Sequence, residues 1–478
     1  MKAHPMTGLT KRLRLSALAA AATVLTGCAS VDFDRTLADT NQQTSGFSQG
    51  KLELSRTAEQ QQARAKLSSD LLAKPLDADA AVQLALSNSP AVQTLLAQSW
   101  MDMSQANQAG RIANPVFTFE RLRQGDELEL GRLLSFGLLD LLTLPRRQAI
   151  AQDQIAQAKV QLAASVVDQV TQVRQAWVRA VGAQQSVQYA QQVQLSAQAS
   201  AELAKRMQQV GNFNKLQRAR QQVFYADATA QLAASQHAAT AAREELTRQL
   251  GLSDAQATQL KLPDRLPDLP QTPTPASSIN SIAPAQRLDV QIARSQLDMA
   301  GKLQGLELVN SLIDVELGVR RDTIFDNGVR SNKTGYELDI RLPIFDWGNA
   351  KRDAMNARSL AAANRYDSTV RQASSQLRES YSAYRTAYDV ARHYRDEIVP
   401  LRKTMADENV LRYNGMLIGV FELLADNREQ ITAVLAAINA QQQFWLADAA
   451  LSASLTGKPT ALMMTPAASA SASAGAGH

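Results

Sequence analysis

From Arg146 to Gln209 no proline interrupts the chain, and apolar residues fall at Ile155, Leu162, Val166, Val170, Val173 and Trp177. Spacings of three, four and seven place them on one helical stripe. At about 1.5 Å per residue the run makes a rod on the order of 95 Å. A helix of that length predicts coiled-coil packing or a tube rather than a compact domain. A second run, Asn349 to Asn414, contains Pro400, which is expected to kink it or unwind it locally. Composition agrees: the hydrophobic 45% leans on Ala, Val and Leu, and aromatics are only 5%. Small apolar residues suit closely spaced helices. Periodicity by itself is met equally by a soluble helical bundle.

The 478-residue chain also resembles itself. SPAVQTLLAQSWMDM at 89–103 matches RLDVQIARSQLDMAG at 287–301, and each is followed by a hairpin pattern and a long helical stretch. Those stretches break once, at Gly211 and at Gly415, and close on QLGL (249–252) and LTGK (455–458). The reading is an internal duplication. Its first copy spans 76–262, with a hairpin at about 116–136, a long helix at 146–209 and a helix at 214–250. Its second spans 286–457, with a hairpin at about 313–345, a long helix at 349–414 and a helix at 420–456. Gly211 and Gly415 are assigned the tight reversals. The proline-rich 263–285 reads as an extended linker, 28–75 as a mostly extended lead with some helix near ARAKLSSDLL, and 458–478 as a disordered tail.

Against this helical background, GYELDIRLPIF (335–345) alternates strictly. Tyr336, Leu338, Ile340 and Leu342 form one face; Glu337, Asp339 and Arg341 form the other. Upstream, Val315, Leu317 and Val319 alternate with Asp314, Glu316 and Arg320, and DTIFDNGVRSNKT reads as the loop between the two strands. The first hairpin is less regular, with Phe117 and Phe119 against Thr118 and Glu120 and a turn at Gln124-Gly125-Asp126. About nine to eleven residues per strand suffice to cross hydrocarbon at a tilt, apolar face to lipid and charged face to a wet lumen. A sheet lying on helices with its charged face in water fits the same alternation. Four strands cannot close a barrel, and eight fill it with their own side chains. Three copies give twelve strands and an open lumen.

At the N-terminus, Lys2, Lys11, Arg12 and Arg14 precede a short apolar run, Leu15 to Leu25, and LTGC ending at Cys28. A basic head, an h-region too short to span a bilayer and a small-residue cleavage site describe an export signal at 1–27. LTGC resembles a bacterial lipobox, which makes Cys28 the lipid anchor. As the single cysteine, Cys28 excludes internal disulfides and thiolate metal clusters. The net charge of +5 is spread along helices rather than gathered in a basic patch, so nucleic acid is not an expected partner. No HExxH, GxSxG or phosphate-cradling loop is present, and the histidines are far apart. Neither catalysis nor a cofactor or metal is expected; the paired methionines at 101/103 and 463/464 fit core filling and tail composition.

Lipobox, repeated halves, paired hairpins and glycine-centred turns together resemble the TolC family of outer-membrane efflux proteins. LPIFDWGNAKRDAMNARS and VLRYNGMLIGVFELLADNREQ resemble that family's strand-to-helix junction and periplasmic tip. The resemblance spans 76–457. It implies a mainly α fold with membrane β, in which long helices form an α-barrel and a homotrimer completes a twelve-stranded barrel in outer-membrane lipid. It implies a passive efflux conduit reaching through the periplasm to an adaptor protein and an inner-membrane pump; a lipid-anchored helical scaffold without a pore is the alternative. It also implies that Glu422, with Asp426 displaced by one position from the family's second acid, rings the periplasmic entrance. The tip turns at Gly211, Asn212 and Phe213 and at Gly415, Met416 and Leu417 are then the adaptor contacts. The cargo is not legible.

Overall fold

The computed structural model describes residues 32–48, 50–276, 287–310, 314–341, 344–345 and 347–457. The signal and Cys28, Leu342, residues 277–286 and the tail lie outside the described residues. Contacts divide the chain into two units, one of 98–158 and 299–357 with the residues up to 38, the other of 39–97, 159–298 and 358–457.

The first unit holds an antiparallel sheet of β1 (Val116–Gln124), β2 (Glu127–Gly137), β3 (Asp314–Asp326) and β4 (Val329–Arg341), in that order. Residues 322–334, expected as a loop, are mostly strand: β3 and β4 pair through to Asp326 and Val329 across a two-residue turn. Asn327 (φ 49°) and Gly328 (φ 80°) both take positive φ, as a primed hairpin turn requires, and Asn-Gly is the pair that most readily supplies it. The turn chemistry overrode the lapse in alternation at Arg320-Arg321-Asp322.

The second unit is helical, and its lead is not mostly extended. Helix α1 (Phe33–Thr44) enters it from residue 39, α2 covers Ala58–Leu72, and only the stretch between is extended. Phe33, Leu37, Thr40 and Thr44 are buried at helical spacing. Thr44 Oγ1 donates to the Thr40 carbonyl at 2.9 Å, so its hydroxyl is satisfied by the helix itself and the residue packs as an apolar one. That hid the stripe from a reading by polarity.

After α3 (Ala78–Asn88) and α4 (Pro90–Ala109), the rods follow. Helix α5 runs Leu138–Gln209, starting two turns before the expected boundary and passing through Pro145. The Arg147 guanidinium braces that turn, lying 3.4 Å from the Asp140 carboxylate and 3.4 Å from its carbonyl. In the second unit Val166, Val170, Val173, Trp177 and Val181 are all buried. Trp177 Nε1 donates to Leu76 O at 2.8 Å, anchoring the indole as buried ring N–H groups require. Helix α6 is Lys215–Leu250 and α7 is Leu288–Asn310; α8 (Asn349–His393) passes through a π-helical turn, Tyr394–Ile398, into α9 (Val399–Asn414), and α10 is Val420–Thr456. The π turn lies just before Pro400. Val399 N–H bonds Tyr394 O, five residues back, as in a π-bulge.

Residues 262–275 run without helix along α8 and α10. Tyr388 Oη donates to Pro270 O and Gln271 O at 3.1 and 2.9 Å, Thr274 N donates to Tyr384 Oη at 3.1 Å, and Trp445 Nε1 donates to Pro267 O at 3.0 Å. Tyr384, Tyr388 and Phe444 are fully buried beneath it. This segment is bonded down along its length rather than spanning freely.

Both closing turns are built alike. Gly251 (φ 65°) and Gly457 (φ 93°) are left-handed C-caps of α6 and α10. A Cβ at Gly251 would lie 2.6 Å from Ser89 Cα, and one at Gly457 2.6 Å from Leu288 N. Only glycine serves at such positions. Each turn thus packs on the start of the helix that leads into its half's hairpin, α4 (Pro90–Ala109) for Gly251 and the helix beginning at Leu288 for Gly457.

Candidate functional site

In the first unit the ladder sorts side chains onto two faces, because directly paired residues share a face. Val315 pairs with Ile340, Leu317 with Leu338 and Val319 with Tyr336. Asp314 pairs with Arg341, Glu316 with Asp339 and Gly318 with Glu337, while Arg320 pairs with Gly335 on the same side. The first hairpin adds Phe117 and Leu134 to the apolar side and Glu120 to the charged side. Tyr336 is 87% exposed, Phe117 63% and Leu338 56%. An apolar expanse of this kind marks a surface meant for lipid or a partner.

The charged face is internally neutralised at one point. Arg320 contacts Asp322 at 3.0 Å, Glu120 at 3.1 Å and Glu337 at 3.7 Å. Gly131 lies beneath: a Cβ there would meet Glu120 Cβ and Asp322 Oδ1 at 3.3 Å. Arg320 and Glu337 were anticipated on this face; the roles of Asp322 and Gly131 were not, since Asp322 was read as loop. Recognising the Asn-Gly turn would have fixed the register and found both.

In the second unit the two interhelical tips differ. Gly211 (φ 81°) reverses the first, and Asn212 N–H bonds Met207 O at 2.8 Å. Phe213 is buried, and Asn214 caps α6 by a reciprocal pair of bonds with Gln217, 2.8 Å each. At the second tip Gly415 has an ordinary φ of −79°. Met416 takes the left-handed position, φ 60°, and Leu417 N–H bonds Arg412 O at 2.8 Å. The conformational role assigned to Gly415 therefore falls to Met416, whose side chain is 93% exposed and meets no obstacle.

Glu422 and Asp426 follow on α10, four residues apart and so on one face. Glu422 is exposed. Asp426 is half-buried and accepts a short hydrogen bond from Asn409 Nδ2 of α9. One turn on, Glu429 pairs with Arg402. The neighbouring Arg428 reaches α6, donating to Gln221 Oε1 at 3.1 Å with its guanidinium 4.2 Å over the Phe224 ring. Burial lowers the Arg428 pKa, against an opposing pull from Asp227. Asn409, Arg402, Arg428 and Glu429 were missed; the spacing 422, 426, 429 along α10 was the available signal.

Among the described residues no group of His, Cys, Asp and Glu is arranged to hold a metal, and no helix is long and apolar enough to cross a membrane. The sheet is the element with a lipid-compatible face. Residues 284–457 match the family described as outer membrane efflux protein. This segment of the chain is similar to that family. No curated protein matches the chain at a significant level. Among solved structures, a membrane protein from Pseudomonas aeruginosa superposes with a TM-score of 0.66 at 20% identity, over 81% of this chain and 93% of its own. VceC from Vibrio cholerae gives 0.64 at 17%, over 82% and 96%. The open state of MtrE from Neisseria gonorrhoeae gives 0.64 at 18%, over 82% and 89%. These identities speak for the fold of the chain alone: mainly helical, with a four-stranded antiparallel sheet among the described residues.

Proposed function

We propose that three copies of this efflux protein close their sheets into one twelve-stranded barrel and form the exit duct of a tripartite export system. The observation that carries the reading is a sheet whose outer strands, β1 and β4, have no further strand beside them among the described residues, and whose faces are one apolar and one charged. Open edges in water invite aggregation; pairing each β4 with a neighbour's β1 removes them and turns the apolar face to lipid. The repeated closing turns at Gly251 and Gly457 support descent of the halves from one duplicated unit.

On this reading Cys28 carries the lipid anchor, and the tips at 211–213 and 415–417 dock a periplasmic adaptor that links the duct to an inner-membrane pump. Glu422 acts at the entrance and biases it toward cations by like-charge clustering about a threefold axis. Asp426, held by Asn409, sets the position of its helix more than the field in the aperture.

Purified protein in a planar bilayer is expected to show discrete unitary conductance. Its absence from assembled trimers would favour the lipid-anchored helical scaffold. Leu338→Arg places a charge on the lipid face and is expected to cost about 2–4 kcal/mol per subunit near the midplane. Asp339→Arg, on the other face, leaves assembly intact. Equal trimer yields of the two variants would refute the assignment of faces.

A further inference from the structure

The apolar face of the sheet is not uniform along the strands. At the end nearer the helices its rows are wholly apolar: Val315 and Ile340, then Phe136, Leu317 and Leu338, then Phe117, Leu134, Val319 and Tyr336. In the next rows toward the turns, five arginines appear on this same face. Arg132 and Arg321 are direct cross-strand partners, Arg121 lies one row on, and Arg123 and Arg330 lie in the row beyond. The register places every Asp and Glu of the four strands on the opposite face. Among the described residues none of the five arginines has a carboxylate within ion-pair reach, whereas Arg320 on the other face has three. Four of the five are exposed and Arg132 is half-buried.

Like charges set directly opposite on a sheet repel. An unneutralised arginine band therefore calls for anions from outside the chain. At about 3.3–3.4 Å per residue, the band occupies roughly 13 Å of strand above an apolar zone of similar length. In the barrel the turns point away from the helices, toward the outer leaflet, and long arginine side chains can reach upward from the apolar boundary to headgroup level. Guanidinium groups bind phosphate oxygens in a bidentate fork. Resting on the barrel reading given above, we propose that Arg121, Arg123, Arg132, Arg321 and Arg330 form an outward-facing collar for the phosphate groups of outer-leaflet glycolipid. The collar fixes the height of the barrel in the membrane.

The test uses full-length protein in detergent, with bisphosphorylated lipid A and its dephosphorylated form as probes and native mass spectrometry as the readout. The wild-type trimer is expected to retain the bisphosphorylated lipid at least tenfold more strongly. Replacement by R132Q, R321Q and R330Q together is expected to bring the two lipids to within about twofold, with trimer mass in the same spectra reporting that the variant is assembled. A conducting wild-type trimer that retains both lipids equally would overturn the collar while leaving the barrel standing, as would a triple variant with undiminished preference. A wild-type protein that neither trimerises nor conducts would overturn the barrel reading, and the collar with it.

Discussion

The two helical tips perform the same reversal by different physics. The first rests mainly on local chemistry: Gly211 supplies the left-handed turn, Asn214 and Gln217 cap the next helix, Phe213 is buried beneath, and one side-chain bond, Arg218 to Gln208, crosses between its helices. The second has Gly419 at its N-cap, with no side chain to offer, and a methionine in the left-handed position. Its hold comes from side chains of neighbouring helices: Asp426 with Asn409 and Glu429 with Arg402 of α9, and Arg428 with Gln221 and Phe224 of α6. A tip that stores its stability in side-chain bonds between helices can release them one at a time. A tip fixed by backbone chemistry cannot. If one of the two moves when cargo passes, the second is built for it.

Asn409→Leu should break the contrast most sharply. It leaves the half-buried Asp426 carboxylate without its donor, at about 1–3 kcal/mol. Amide exchange across 411–425 should accelerate at least tenfold while the first tip keeps its protection; equal acceleration of both tips would erase the distinction drawn here. Next in size is the backbone. Gly211→Ala forces a Cβ into a left-handed position and should cost about 1 kcal/mol, whereas Gly415→Ala should shift the unfolding midpoint little. Met416→Gly should stabilise the second tip by about 1 kcal/mol, read as slower exchange there and unchanged exchange at the first.

The smallest effect lies away from both tips, where Asp448 of α10 and Arg174 of α5 interact. Burial raises the pKa of Asp448, with Arg174 pulling it down. Arg174 is itself lowered by burial, and it donates to Phe47 O at 2.8 Å. Because the folded value of Asp448 lies above the unfolded one, its contribution to stability declines as pH rises through that window and is fully lost above the folded value. Asp448→Asn should therefore raise the unfolding midpoint slightly at neutral pH and remove that decline. An unchanged pH profile would show that Arg174 compensates the carboxylate completely. Neither tip should respond.

Much of this was written in local patterns. The uninterrupted stripe from Ile155 to Trp177 fixed the rod, and the strict alternation from Tyr336 to Arg341 fixed which residues share a face. The errors have local causes too. The Thr44 hydroxyl, bonded to the Thr40 carbonyl of its own helix, disguised a buried stripe. Asn327-Gly328 carried a hairpin turn through a stretch where alternation lapsed. The left-handed residue of the second tip fell one place past the glycine.

The long helices and the alternation of Val315–Val319 and Tyr336–Arg341 follow from the sequence, because helix and strand periods act over a few residues. What only the tertiary structure decided is which groups meet: Asp322 and Glu120 around Arg320, Asn409 against Asp426, Arg428 over Phe224, and every strand carboxylate on the side away from five arginines that have no carboxylate partner among the described residues. Those contacts join residues far apart in the chain, with separations of 200 between Glu120 and Arg320 and 207 between Gln221 and Arg428. Register and helix packing set them, and neither is a property of any short stretch of sequence.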